Sequence, residues 1–213
     1  GGRFDAIANN TFNGTPVTSD MRRSSNFFGI FLIGSSGFDM RGNNFNSVVY
    51  GIFCINSGSI GGEIHFTNTF TNCWRDIDAR GDNSTLNIKC NSFNGNHASA
   101  MNVFSFGGVI DFMDQGSCSP NSIKDPAGND FNGGNHHIFS PDVAWNYSHH
   151  KALNCNQFPN VEPTIITGPV SKSDCGSCKN NQSCCTGIFC VPIDAIPLKA
   201  QAAFETALKK KKI

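Results

Sequence analysis

The triplet Asn-x-Phe recurs in this chain in six places with matching surroundings. They are Asn10-Thr11-Phe12, Asn43-Asn44-Phe45, Asn68-Thr69-Phe70, Asn91-Ser92-Phe93, Asn129-Asp130-Phe131 and Asn156-Gln157-Phe158. Successive phenylalanines stand 33, 25, 23, 38 and 27 residues apart. Four of the six are followed by asparagine, at Asn13, Asn46, Asn94 and Asn132. A short alternating run tends to precede the triplet, as in Glu63-Ile64-His65-Phe66. A second β-type run tends to follow it beyond a polar turn, as in Gly51-Ile52-Phe53-Cys54-Ile55. Two further matches, Asn26-Phe27-Phe28 and Asn102-Val103-Phe104, lack these flanks and are read as chance.

A unit of 23 to 27 residues built from short strands and turns cannot bury its own apolar face and must stack on its neighbours. Stacked strands pair in parallel ~4.8 Å apart. Equivalent residues then fall on one another, with phenylalanine inside and asparagine at the bend, where its side chain tolerates left-handed geometry. Each amide can donate to one neighbour and accept from the other, which satisfies polar groups at the bend. This accounts at once for 26 Asn and 19 Phe in 213 residues. The pattern predicts an all-β chain, a right-handed parallel β-helix of about six coils over residues 1–165. Asn10, Asn43, Asn68, Asn91, Asn129 and Asn156 form its ladder, and Phe12, Phe45, Phe70, Phe93, Phe131 and Phe158 its inner column.

Charge narrows the function classes. Lys+Arg and Asp+Glu number 16 each, and only 15% of residues are charged, which argues against nucleic-acid binding through bulk positive charge. The longest apolar run, Phe27 to Ile33, has the length of a strand, far short of the ~20 residues that span a membrane, so no membrane insertion is expected.

The Asn-x-Phe coils resemble the parallel β-helix repeats of the pectin-lyase-like superfamily. Asp114-Gln115-Gly116 followed by Pro126-Ala127-Gly128-Asn129-Asp130-Phe131, and Leu153-Asn154-Cys155-Asn156-Gln157-Phe158, are similar to phrases in large bacterial surface proteins exported by the type IX secretion pathway. The resemblance covers roughly residues 3 to 165, and no type IX sorting domain is visible. It implies an extracellular, cell-surface location. The partners it implies are other domains of the same long chain, outer-membrane secretion machinery or surface glycans.

Past about Ile166 the pattern stops. Residues 166–192 read as a Cys-rich linker or stapled module, and 193–213 as a C-terminal helix that caps the solenoid or opens another domain. Ala200, Ala203, Phe204, Ala207 and Leu208 give that helix one apolar face. Of ten cysteines, Cys175, Cys178, Cys184, Cys185 and Cys190 cluster. The spacing favours disulfides of a secreted chain over zinc, since adjacent Cys184 and Cys185 suit one metal badly. Both ends read as those of a piece of a longer protein, with more coils expected before Gly1. The two long spacings, around Thr15 to Ser24 and Gln115 to Ser122, read as loops emerging from corners.

Few residues carry chemistry. Asp76-Ile77-Asp78 would set two carboxylates on one side of a strand, flanked by Arg75 and Arg80, as in β-helix hydrolases and lyases; the plainer reading is a solvated, charge-balanced face. Asp111, Asp114, Asp125 and Asp130 match no calcium loop and read as turn carboxylates. His136-His137 and His149-His150 are adjacent pairs, which point to opposite faces of a strand and chelate poorly. Arg80-Gly81-Asp82 reads as a corner. No metal and no cofactor are expected. The reading that results is a non-catalytic structural or adhesive segment of a large secreted surface protein, cargo or partner of a type IX secretion or gliding and adhesion complex. The alternative is a carbohydrate-active β-helix enzyme using Asp76 and Asp78, or a glycan-binding module.

Overall fold

The computed structural model describes residues 7–15, 27–57, 61–65, 67–108, 111–116, 118, 127–149 and 162–175. All regular structure among them is β, and every strand pair is parallel. The chain winds as a parallel β-solenoid. Successive coils lie side by side in three main sheets, of four, five and six strands.

The five-stranded sheet is made of the Asn-x-Phe segments. Phe12, Phe45, Phe70, Phe93 and Phe131 are exact register partners from coil to coil. Their rings stack at centroid distances of 4.8, 4.8, 5.3 and 5.4 Å. The spacing is that of the strands themselves, so backbone pairing and ring packing reinforce each other. Five coils therefore stack, against the six or so expected; Asn156 and Phe158 lie outside the described residues.

At the start of each of these strands the asparagines form the second column. Asn10, Asn43, Asn68 and Asn91 each donate from Nδ2 to Oδ1 of the asparagine one coil on, at 2.9 to 3.1 Å. Asn43, Asn68, Asn91 and Asn129 are fully buried. The left-handed residue is not the ladder asparagine but the one before it: Asn9, Gly42, Thr67, Cys90 and Gly128 have φ between 55° and 65°. The ladder asparagine already stands in line for the strand, its own N–H bonded to the next Oδ1, so the chain must turn one residue earlier.

The interior is completed by Met40, Ile64 and Ile88 from the four-stranded sheet and by Ile52, Ile77, Met101 and Ile138 from the six-stranded one, all with 0% exposure. Gln115 extends the four-stranded sheet with its side chain: Oε1 accepts from Ile88 N–H and Nε2 donates to the Leu86 carbonyl. Pairing runs on past residue 165, where Ile166–Thr167 joins Ile138–Phe139 and Val170–Asp174 joins Trp145–His149.

Cys175 pairs with Cys118, outside its own cluster. Cys90 is also disulfide-bonded, while Cys54 and Cys73 are buried free thiols. Cys178, Cys184, Cys185 and Cys190, like the segment read as a C-terminal helix, fall outside the described residues. No helix among the described residues is long and apolar enough to cross a membrane.

Candidate functional site

The six-stranded sheet has an inner and an outer face. The outer face carries a hydrophobic cluster of its own, separate from the core: Val49, Tyr50 and Phe53, with Phe28, Ile55 and Trp74 packed against them. Phe28 lies 5.1 Å from Tyr50, Phe31 lies 5.4 Å from Phe53, and Tyr50 meets Trp74 edge-on at 5.6 Å. Phe31 is 45% and Ile33 61% exposed. Phe28 and Trp74 are half-buried and Tyr50 and Phe53 buried, so the open part of the patch is its Phe31–Ile33 edge.

The strand Arg75–Arg80 crosses this face and adds charge. Asp78 accepts from Arg75 Nη1 at 2.7 Å, from Arg80 Nε at 2.7 Å and from Arg80 Nη2 at 3.1 Å. Both carboxylate oxygens are thereby engaged, and the side chain is fully buried beneath the two guanidinium groups. The hydrogen bonds that Arg80 donates to Asp78 hold its guanidinium above its usual range. The arginines in turn lie over rings: Arg75 is 4.5 Å from Trp74, Arg80 is 4.7 Å from Phe53, and both approach Phe104. The result is a fixed sandwich of aromatic rings and clamped guanidinium groups.

Asp76 does not share that face, which corrects the expectation of two carboxylates side by side. Its register position is that of Gly51, where an added Cβ would run into the Phe70 ring, so this position looks into the solenoid. There Asp76 is fully buried, with Oδ2 3.3 Å from His97 Nδ1. Burial pushes the Asp76 carboxyl well above the usual carboxylate range. Burial, helped by nearby His137, brings His97 down to about 4. Positions 76 and 77 both face inward, so the two-residue alternation is lost there.

The remaining candidates disperse. Asp114 Oδ1 accepts from the Asn146 N–H, and Asp130 Oδ2 accepts from Asn132. Nothing is described of Asp125 or His150, or of the Asp111 side chain. His137 stacks on Phe131 and accepts from the Thr164 N–H, while His136 meets the Thr167 hydroxyl. Gly81, at φ 73°, forms a corner in which Asp82 N–H donates to Asn56 Oδ1, and Arg80 is committed to Asp78. Among the described residues no three His, Cys, Asp or Glu side chains stand together as a metal would require. Sequence reasoning missed His97 and the outer aromatic cluster. The cluster left a signal in the rings Phe28, Phe31, Tyr50 and Phe53 crowded into two short β-type runs, whereas a lone histidine left none.

Comparison with protein-family models, with curated proteins and with solved structures gave no match.

Proposed function

We propose that this chain is a non-catalytic, adhesive segment of a large secreted cell-surface protein, and that the aromatic–arginine face of its six-stranded sheet makes the contacts. One observation carries the reading: both oxygens of Asp78 are taken by Arg75 and Arg80, on a face whose aromatic cluster runs from buried Tyr50 and Phe53 out to Phe31, which is 45% exposed. Glycoside hydrolysis needs two carboxyl groups flanking one bond, one of them ready to give a proton. A clamped Asp78 and an interior Asp76 supply neither. Rigid rings beside preorganised N–H donors are what a binding surface needs. The disulfide Cys118–Cys175 supports an oxidising, extracellular setting. Kinship with pectin-lyase-like β-helices, and cargo or partner status in type IX export, rest on the phrases quoted above.

A second reading, a glycan-binding module, is favoured by the same face, because sugar C–H groups stack on aromatic rings and hydroxyls pair with arginine. The test is a polysaccharide panel assayed both for binding and for released ends. Binding without turnover, lost in Phe31→Ser and Trp74→Ala, is the expected result. Turnover that disappears in Asp78→Asn would replace this reading with an enzyme.

A further inference from the structure

Behind that face, where the phenylalanine sheet turns into the six-stranded one, sits an ionisable pair that the adhesive role does not use. Asp76 and His97 face each other at 3.3 Å with side chains at 0% exposure. Neither carboxylate oxygen and neither ring nitrogen has a hydrogen-bond partner among the described residues. The titratable groups around the pair are Cys73 from the same coil and His137 from the next. Arg75, beside Asp76 in sequence, is spent on Asp78 and the Trp74 ring.

The roof over His97 is the turn Gly133-Gly134-Asn135. An added Cβ on Gly134 would overlap the imidazole, so backbone lies directly on the ring. Asn135 N–H donates to the His97 carbonyl at 2.9 Å and His136 N–H to that of Ala98 at 3.1 Å. Beside the roof opens a cleft of about 240 Å³ lined by Trp74, Asn96, His97, Ala98, Gly134 and Asn135.

A buried pair of this kind is tolerable in one protonation state. With one proton between them, acid and imidazole are both neutral. Without it a bare carboxylate is stranded; with a second proton an imidazolium is. Both side chains are at 0% exposure although His97 borders the cleft, so a charge on either is hydrated when the roof turn lifts from the ring. We propose that Asp76 and His97 form a one-proton lock that keeps the Gly133–Asn135 turn closed while the pair carries a single titratable proton and both groups are neutral.

The lock gives the two single variants opposite pH slopes. A histidine buried without the acid loses stability on protonation, so in Asp76→Asn the corner opens as pH falls below 6.5, about tenfold per unit until about 4. A carboxyl buried without the imidazole loses stability on deprotonation, so in His97→Gln the corner opens as pH rises above about 4, again about tenfold per unit. In the wild type the two terms offset each other across that window.

The measurement is amide-exchange protection at Asn135 and His136 between pH 4 and 7, with Thr69 and Ser92 as controls for the intact solenoid. Opposite slopes in the two variants and a level wild type are expected. Parallel behaviour in all three would overturn the lock. Nuclear magnetic resonance titration of the wild-type His97 ring needs no variant: no step is expected between pH 5 and 8, and a step near 6.5 would overturn the lock as well.

Discussion

The Asn129 side-chain amide donates to the Tyr147 phenol oxygen at 3.2 Å, and to the Ile88 carbonyl at 2.9 Å. Every earlier ladder amide donates to another asparagine; here a phenol takes that place, and Tyr147 is fully buried to do so. The same ring meets Phe131 edge-on, 5.9 Å between centroids, so the residue that ends the polar column also borders the aromatic one, on which His137 stacks.

The ladder's value follows from what a missing rung strands. Asn68 Oδ1 accepts from both N–H and Nδ2 of Asn43, and its own Nδ2 donates to the Met40 and His65 carbonyls and to Asn91. Asn68→Ala leaves several buried groups unpaired and should cost about 3–4 kcal/mol. Tyr147→Phe removes one acceptor from an amide that keeps another, and should cost about 1 kcal/mol. Urea midpoints of the two variants against wild type check both magnitudes and their order.

The phenylalanine column predicts a gradient along the axis. Phe70 is fully buried between Phe45 and Phe93, whereas Phe12 has a stacked ring on the Phe45 side and is only half-buried. Phe70→Ala should cost about 3–5 kcal/mol, as large-to-small changes in a packed core do, and Phe12→Ala about 1–2 kcal/mol. Equal losses at the two positions, measured by chemical denaturation, would mean that the column is not continuous.

These columns were legible in the sequence because stacking repeats one chemical choice at every coil, and repetition is what a sequence displays. The facing of Asp76 was not legible by alternation, since positions 76 and 77 both look inward. A signal did exist: the same register holds Gly29, Gly51, Asp76 and Ala100, ahead of Ile30, Ile52, Ile77 and Met101. Two glycines and an alanine mark a cramped inward site, where Gly29 and Gly51 leave room for the Phe45 and Phe70 rings. The Cys118–Cys175 pairing was beyond reach, because the spacing of a cluster says nothing about a partner 57 residues away.

That disulfide ties the long insertion after the fourth coil to the end of the strand Val170–Asp174, where Cys175 N–H also donates to the His149 carbonyl. By chain entropy a closed loop of this length stabilises by about 4 kcal/mol. Cys118→Ser should therefore lower the melting temperature, and reductant should narrow the gap between wild type and variant. The loss should fall first on the parallel pair formed with Trp145–His149, read as early exchange of the Cys175 amide, which bonds the His149 carbonyl, while Ser92 stays protected.

Asp78 gives the prediction closest to function. It is buried, holds two arginines, and each arginine is partly exposed, so solvent screening tempers the usual penalty for breaking a buried pair. Asp78→Asn should cost about 2 kcal/mol. It leaves Arg75 and Arg80 as like charges on one small patch, and the variant should recover stability as salt is raised. Arg80→Ala should cost less, because Asp78 keeps Arg75. Binding separates the roles. If the guanidinium groups act as fixed donors between rings, Asp78→Asn loosens them and weakens ligand capture at low salt even where the fold is intact. Arg80→Lys, which keeps the charge but loses the planar fork, should weaken it too. Ligand capture that survives both changes would assign recognition to the rings alone, since Phe31, Tyr50 and Trp74 remain untouched in either variant.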